Sequence, residues 1–312
     1  MSNRRVQDIL DEAKASGATW TLSVAAPHDE SVLGSVTQAC AMGFTRAVLF
    51  GNPELIERAA AQSGTRLEAD RFTIVETKDD AATVQESARC VHEGRADVLV
   101  KGIVPTSLLM RAVLNHEIGL RSNRFLSHVG VFNDPANGRL MLLTDAGINI
   151  APNVHRKVQI VRNAVAVARA LGIVEPRVAM LAAVETLNYP AMPATLEAAL
   201  VARIAASGVI PDAVVEGPFA LDNAISQMSA DKKKLAGRVA GCADILVGPE
   251  IETANALYKA FQVYCGVTFA SVVVGASKPI AVPSRADSPA SKLMSIALAC
   301  LLSGAPCSKS SS

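Results

Sequence analysis

The chain has 312 residues, more than one hydrophobic core usually serves, so two lobes are the starting expectation. Half of the residues are hydrophobic and 19% are charged, a balance that excludes intrinsic disorder. With 30 Lys and Arg against 29 Asp and Glu, and only 4% aromatic residues, nothing favours nucleic acid or an acidic membrane surface as partner.

The first fourteen residues are charged and polar, unlike a signal peptide with its apolar centre. The longest apolar runs, 269–275 and 295–302, fall far short of the ~20 residues that span a bilayer. Cys40, Cys90, Cys242, Cys265, Cys300 and Cys307 form no CxxC pair and have no His at metal-ligand spacing. They read as buried small hydrophobes in a reducing compartment, and the chain reads as soluble and cytoplasmic.

In chain order, β-branched runs at 21–26, 47–50, 72–76 and 97–100 are predicted strands. Between them, 29–43, 53–64 and 79–94 carry apolar residues at helical spacing, and each ends at a glycine, a low-cost left-handed cap. Strand and helix in alternation predict a parallel sheet covered by helices. The pattern breaks once: 128–132 and 139–144 flank Asn133-Asp134-Pro135-Ala136-Asn137-Gly138, a turn-forming run that predicts a hairpin and marks a crossing into a second lobe. Val154, Val158, Val161, Val165 and Ala168 then predict a helix over 153–171. Strands follow at 177–182, 213–216, 244–247 and 271–275, with helices between, then a last helix at 289–302 and a frayed Ser-rich tail at 308–312.

The sequence has no P-loop, no GxGxxG fingerprint, no HExxH and no GxSxG elbow. His28, His92, His116, His128 and His155 share no face and read as satisfied histidines. Four segments instead end a strand with polar residues, the place where open α/β sheets bind ligands. In 100–107, Gly102 admits close approach of a ligand and Thr106 or Ser107 can cap the next helix, or Lys101 is simply exposed beside that cap. In 144–153, Asn153 is a helix cap, whereas Asp145 and Asn149 are either ligand groups or loop residues. In 216–224, Asp222 and Asn223 among apolar neighbours either hold a ligand or form a buried structural network. In 283–288, Ser284, Arg285 and Asp287 place a hydroxyl, a guanidinium and a carboxylate beside a helix start, suited to a phosphoryl group. Asp287 as a plain cap, with Arg285 as its ion-pair partner, is the other reading. Lys232, Lys233 and Lys234 read as a solvated helix face or as a patch for a polyphosphate ligand such as coenzyme A.

In this order the segments resemble the phosphate acetyltransferase/phosphate butyryltransferase family. The resemblance is carried by Glu216-Gly217-Pro218 with Asp222-Asn223-Ala224, by Ala240-Gly241-Cys242-Ala243-Asp244-Ile245, by Asn255-Ala256-Leu257-Tyr258-Lys259 and by Ser284-Arg285-Ala286-Asp287-Ser288. Ala25-Ala26-Pro27-His28-Asp29 and Lys101-Gly102 with Thr106 extend it more loosely to the N-terminal half. It is also similar to the acetyltransferase portion of bifunctional enoyl-CoA hydratase/phosphate acetyltransferases.

The resemblance implies two α/β domains around a central cleft, isocitrate/isopropylmalate dehydrogenase-like, with residues 1–144 and 284–312 in the first and 145–283 in the second. It implies a homodimer or larger assembly, no metal, no permanently bound cofactor, and coenzyme A, acyl phosphate and inorganic phosphate as reactants, acetyl being the first expectation and butyryl the alternative. A carboxylate takes the coenzyme A thiol proton and the thiolate attacks the acyl phosphate. Ser284, Arg285 and Asp287 are the catalytic candidates, with Asp287 the nearest acid, since 289–292 holds no carboxylate. Lys101, Thr106, Asp145, Asp222, Asn223 and Asn255 are the substrate-binding candidates. The competing readings are a metal- and NAD-dependent dehydrogenase of the same fold, disfavoured because no two Asp are four apart, and an idle scaffold.

Overall fold

The computed structural model describes residues 4–122 and 124–304. The expected tail at 308–312, and Cys307, lie outside the described residues. The chain starts with an unanticipated helix, α1 (Val6–Ala15), formed where Val6, Ile9, Leu10 and Ala13 make one apolar stripe within an otherwise charged stretch. Strands and helices then alternate as predicted: β1 (Trp20–Ala25), α2 (Glu30–Ala41), β2 (Thr45–Gly51), α3 (Pro53–Gln62), β3 (Phe72–Glu76), α4 (Asp80–His92), β4 (Val98–Lys101) and α5 (Thr106–Val113). Asp29, Asn52 and Asp79 cap α2, α3 and α4 through their side-chain oxygens. Gly43, Gly64 and Gly94 take the positive φ that ends these helices.

The predicted hairpin is β5 (Ser127–Asn133) against β6 (Leu140–Thr144), antiparallel. After it come α6 (Val154–Ala170), capped by Asn153 as expected, then β7 (Arg177–Leu181), α7 (Pro193–Ile204), β8 (Val214–Phe219), α8 (Leu221–Ile225), α9 (Gln227–Lys232), β9 (Ile245–Val247) and α10 (Ile251–Tyr264). The chain closes with β10 (Ala270–Val274), β11 (Ile280–Ala281) and α11 (Pro289–Ser303).

Two compact units divide the chain. Among the described residues, one comprises 6–124 and 268–304; the other comprises Phe125–Val267 with residues 4 and 5. These boundaries fall ahead of the 144/145 and 283/284 expected from the sequence. β6 pairs in parallel with β9, which ties the hairpin to the second unit, and β11 pairs in parallel with β4, which ties the 270–281 strands to the first. α11 packs against α1 and α2.

Within the first unit the strands run β3-β2-β1-β4-β11-β10, parallel except for β10 against β11. Leu22, Val24, Leu49, Val98 and Leu99 are fully or almost fully buried, as a sheet covered on both faces requires. Within the second the order is β5-β6-β9-β7-β8, parallel from β6 to β8. In both units the register brings the carboxyl ends of several strands to one edge, where polar residues leave the sheet.

Candidate functional site

In the first unit, Ala25 lies beside Phe50 and Lys101, and Ala281 beside Val100. The residues that follow β1, β4 and β11 therefore emerge together, although residues 101 and 285 are far apart in sequence. The segment after β11 turns at once: the Asp287 N–H donates to the Ser284 carbonyl (3.1 Å), and the Ser284 N–H donates to Asp287 Oδ2 (2.7 Å). Asp287 is not the helix cap. Ser288 caps α11, its hydroxyl oxygen accepting the Ser291 N–H at 3.1 Å.

The turn and the strand ends gather charge. Arg285, Asp287 and Lys292 lie within electrostatic reach of Lys101, and Asp29 within reach of Lys292. Arg285 projects into solvent, whereas Lys101, Asp287 and Lys292 are 6%, 5% and 2% exposed. Lys292 donates to the Asp287 carbonyl oxygen at 2.5 Å, so the first turn of α11 locks the 284–287 turn from behind. Burial lowers the pKa of Lys292, and Asp287 and then Asp29 oppose that shift. The five groups comprise three cations and two anions: a corner poised for an anion, with one arginine free to reach it. Ser284, Arg285, Asp287 and Lys101 lie at the same edge of the first sheet. Lys292 was missed because a lysine in a helical run of small apolar residues reads as a solvated side chain.

Two details depart from expectation. Gly102 serves backbone packing: a Cβ there would sit 2.1 Å from the Ala26 carbonyl oxygen and 2.5 Å from that of Ala25, which accepts the Gly102 N–H. Gly102→Ala should cost ~1–3 kcal/mol by overpacking, seen as a lowered midpoint in urea unfolding; an unchanged midpoint would contradict this packing. Neither Thr106 nor Ser107 caps α5, because Pro105 occupies the cap position with no side-chain bond. Thr106 is exposed at the first position of α5. His28 sits beyond β1 and accepts the Asn52 N–H through Nε2 at 3.2 Å. Burial lowers its pKa and Asp80 opposes.

In the second unit, Asp145 follows β6 and is 4% exposed. Its Oδ1 accepts the Gly147 and Ile148 N–H groups (2.9 Å each), and its Oδ2 accepts from Asn149 Nδ2 (2.7 Å). Asn255 on α10 donates to the Ala146 carbonyl oxygen at 2.8 Å, so these residues share one loop and shape it. Asp222 is exposed in the first turn of α8, whereas Asn223 is fully buried. Asn223 Nδ2 donates to Glu185 Oε2 (3.3 Å), which also accepts from Lys233 (3.0 Å), while Asn223 Oδ1 is buried without a hydrogen-bond partner. A buried carbonyl oxygen lacking a donor is a place for a ligand or water hydrogen. Glu185 was not anticipated: it lies in a loop with no motif of its own. Lys232, Lys233 and Lys234 are solvent-exposed.

Among the other histidines, His92 pairs with the Gly119 carbonyl and His116 with Arg121. Cys40, Cys90 and Cys300 are buried, and burial pushes the Cys40 thiol up to about 11, but Cys265 is exposed beyond α10. Among the described residues no three His, Cys, Asp or Glu side chains converge as a metal-binding group, and no helix is long and apolar enough to cross a membrane.

Residues 81–300 match the family described as phosphate acetyl/butaryl transferase. The chain is 46% identical over 296 residues to a Bacillus subtilis (strain 168) protein named "probable phosphate butyryltransferase", covering 95% of this chain and 97% of that one. It is 39% identical over 293 residues to the phosphate acetyltransferase of Rhizobium meliloti, covering 94% and 92%. Among solved structures it is similar to a branched-chain phosphotransacylase from Enterococcus faecalis V583, with TM-score 0.80, 33% identity and coverage of 92% and 99%. A 4-hydroxythreonine-4-phosphate dehydrogenase from Burkholderia phymatum, at TM-score 0.51 and 14% identity over 91% and 96%, shares the dehydrogenase-like fold alone.

Proposed function

The chain belongs to the phosphate acetyl/butyryl transferase family, and from that premise we infer that it is an acyltransferase moving a short acyl group reversibly between coenzyme A and inorganic phosphate. The observation that carries the reading is the anion corner formed by Lys101, Arg285 and Lys292 around the Ser284–Asp287 turn. In this proposal Arg285 grips the phosphoryl oxygens and Ser284 donates a hydrogen bond to them, offsetting the charge that gathers as the acyl–oxygen bond breaks. Asp287 holds the turn that presents both. No resident cofactor is needed; coenzyme A, acyl phosphate and phosphate are the reactants.

In the first unit, Lys101 and Thr106 are the substrate-binding candidates, Lys101 at the end of β4 and Thr106 at the start of α5. In the second unit, Asp145, Asp222, Asn223 and Asn255 are the candidates, Asp145 and Asn255 by fixing the 145–149 loop and Asn223 by its partnerless oxygen. Acetyl is the first expectation from the sequence. Butyryl gains from the higher identity to a butyryl-named relative and from a pocket of about 440 Å³ at the carboxyl edge of the second sheet, walled by Leu181, Met192, Leu221 and Leu257. A cytoplasmic homodimer fits the same reading.

The test is coenzyme A-dependent phosphate release from acetyl, propionyl and butyryl phosphate in EDTA without NAD. Turnover is expected, and the order of kcat/KM names the acyl group; one methylene accounts for only ~1–3 kcal/mol of discrimination. No turnover with any of the three would refute the acyl-transfer reading, and activity that needs metal and NAD would favour the dehydrogenase.

A further inference from the structure

We propose that Lys101 is the residue that exchanges the coenzyme A thiol proton. The inference rests on the acyl-transfer reading and supplies the acid–base group it lacks. Lys101 ends β4 at the edge where the Ser284–Asp287 turn emerges, and it is almost wholly buried. Among the described residues its Nζ makes one hydrogen bond, 3.1 Å to the Gly102 carbonyl oxygen, while Asp287 acts on it only through space.

The contrast with another buried lysine is informative. Lys157 on α6, 2% exposed, is bonded directly to the Glu197 carboxylate, as a desolvated cation ordinarily must be. Lys101 has no such bond and faces two further cations, Arg285 and Lys292, against the single carboxylate of Asp287; Asp29 faces Lys292. An ammonium in that position is held weakly. Burial, then Arg285, and to a lesser degree Lys292, lower its pKa from the usual amine range, Asp287 opposing. The shift favours the neutral amine, the form able to accept a proton. Asp287 is the poorer candidate because its Oδ2 already accepts the Ser284 N–H.

In the direction of thioester formation, the neutral amine of Lys101 takes the thiol proton and the sulfur lone pair attacks the acyl carbon. The bond from that carbon to the bridging oxygen then breaks, its electron pair leaving on phosphate. The ammonium passes its proton to the departing phosphate, leaving acyl-coenzyme A, hydrogen phosphate and neutral Lys101. In reverse, the ammonium protonates the leaving thiolate.

The experiment compares wild type, Lys101→Arg and Asp287→Asn in pH profiles of kcat and kcat/KM for thioester formation. Arginine keeps the charge but cannot lose its proton in this range. Lys101→Arg should lower kcat by at least ~10²-fold with KM for acyl phosphate little changed, and it should erase the alkaline rise in rate. Asp287→Asn should retain that rise at a lower level. The wild type supplies a check that needs no variant: the ionisation governing the rise should move steeply with temperature, as an amine's does, where a carboxylate's hardly moves. Wild-type kcat in Lys101→Arg, loss of the rise in Asp287→Asn, or a temperature-insensitive ionisation would each overturn the assignment while leaving acyl transfer standing. Absence of turnover in the wild type would overturn both.

Discussion

Arg285→Ala should lower kcat/KM for acyl transfer by at least ~10²-fold, the usual scale for one group that stabilises developing charge. Arg285 is the exposed cation of a corner whose other two cations are buried, so no neighbour can take over its reach. Because it projects into solvent from the 284–287 turn, and that turn is closed by Ser284 and Asp287 without it, the variant should melt like wild type. Arg285→Lys should recover only part of the loss, since an ammonium cannot offer the guanidinium's two parallel donors to phosphate oxygens. Steady-state kinetics with acyl phosphate as the varied substrate, beside thermal melts, would check this. An unchanged kcat/KM in Arg285→Ala would place the phosphoryl site elsewhere.

The largest effect on stability should come from Asp244→Ala. Asp244 sits just ahead of β9, where its Oδ2 accepts the Arg177 backbone N–H (2.9 Å) and Nε (2.9 Å) and its Oδ1 accepts from Nη2 (2.8 Å). Arg139, itself mostly buried, approaches Oδ1 at 3.9 Å. The carboxylate thus joins β9 to β7 at the amino edge of the second sheet and balances two partly buried guanidinium groups. Removing it leaves Arg177 desolvated without its carboxylate, while Arg139 keeps Asp134 at 3.7 Å, a loss of about 3–5 kcal/mol for a broken buried pair. Denaturant unfolding should show that loss as a lower midpoint. A change below about 1 kcal/mol would mean that the pair is solvated like a surface one.

Asp244 also shows how much a sequence motif conveys. The run Ala240-Gly241-Cys242-Ala243-Asp244-Ile245 marks the family, and a functional role for its aspartate would be the natural guess. The structure assigns that carboxylate to holding two strands. Asp145 is similar: a polar residue at a strand end, whose oxygens accept two backbone N–H groups and an Asn149 amide hydrogen to shape a loop. Whether a strand-end carboxylate faces a ligand or its own backbone depends on which N–H groups the turn aims at it, and sequence spacing does not record that.

Periodicity, caps and turn residues by themselves determined the alternation of strands and helices, the 133–138 hairpin turn and the strand ends from which polar residues emerge. These depend on contacts a few residues apart. α1 shows the limit, since its apolar stripe is legible only once charged residues are set aside. Family motifs then determined the reaction class. The tertiary structure alone decided the unit boundaries, through β6 with β9 and β11 with β4. It alone brought Lys292 and Asp29 to the anion corner, left Lys101 buried without a direct carboxylate partner, and left Asn223 Oδ1 buried as an unmet acceptor. Each of these depends on which distant strands become neighbours and on how much water they exclude, because desolvation and charge proximity are properties of the packed chain and not of any local run of residues.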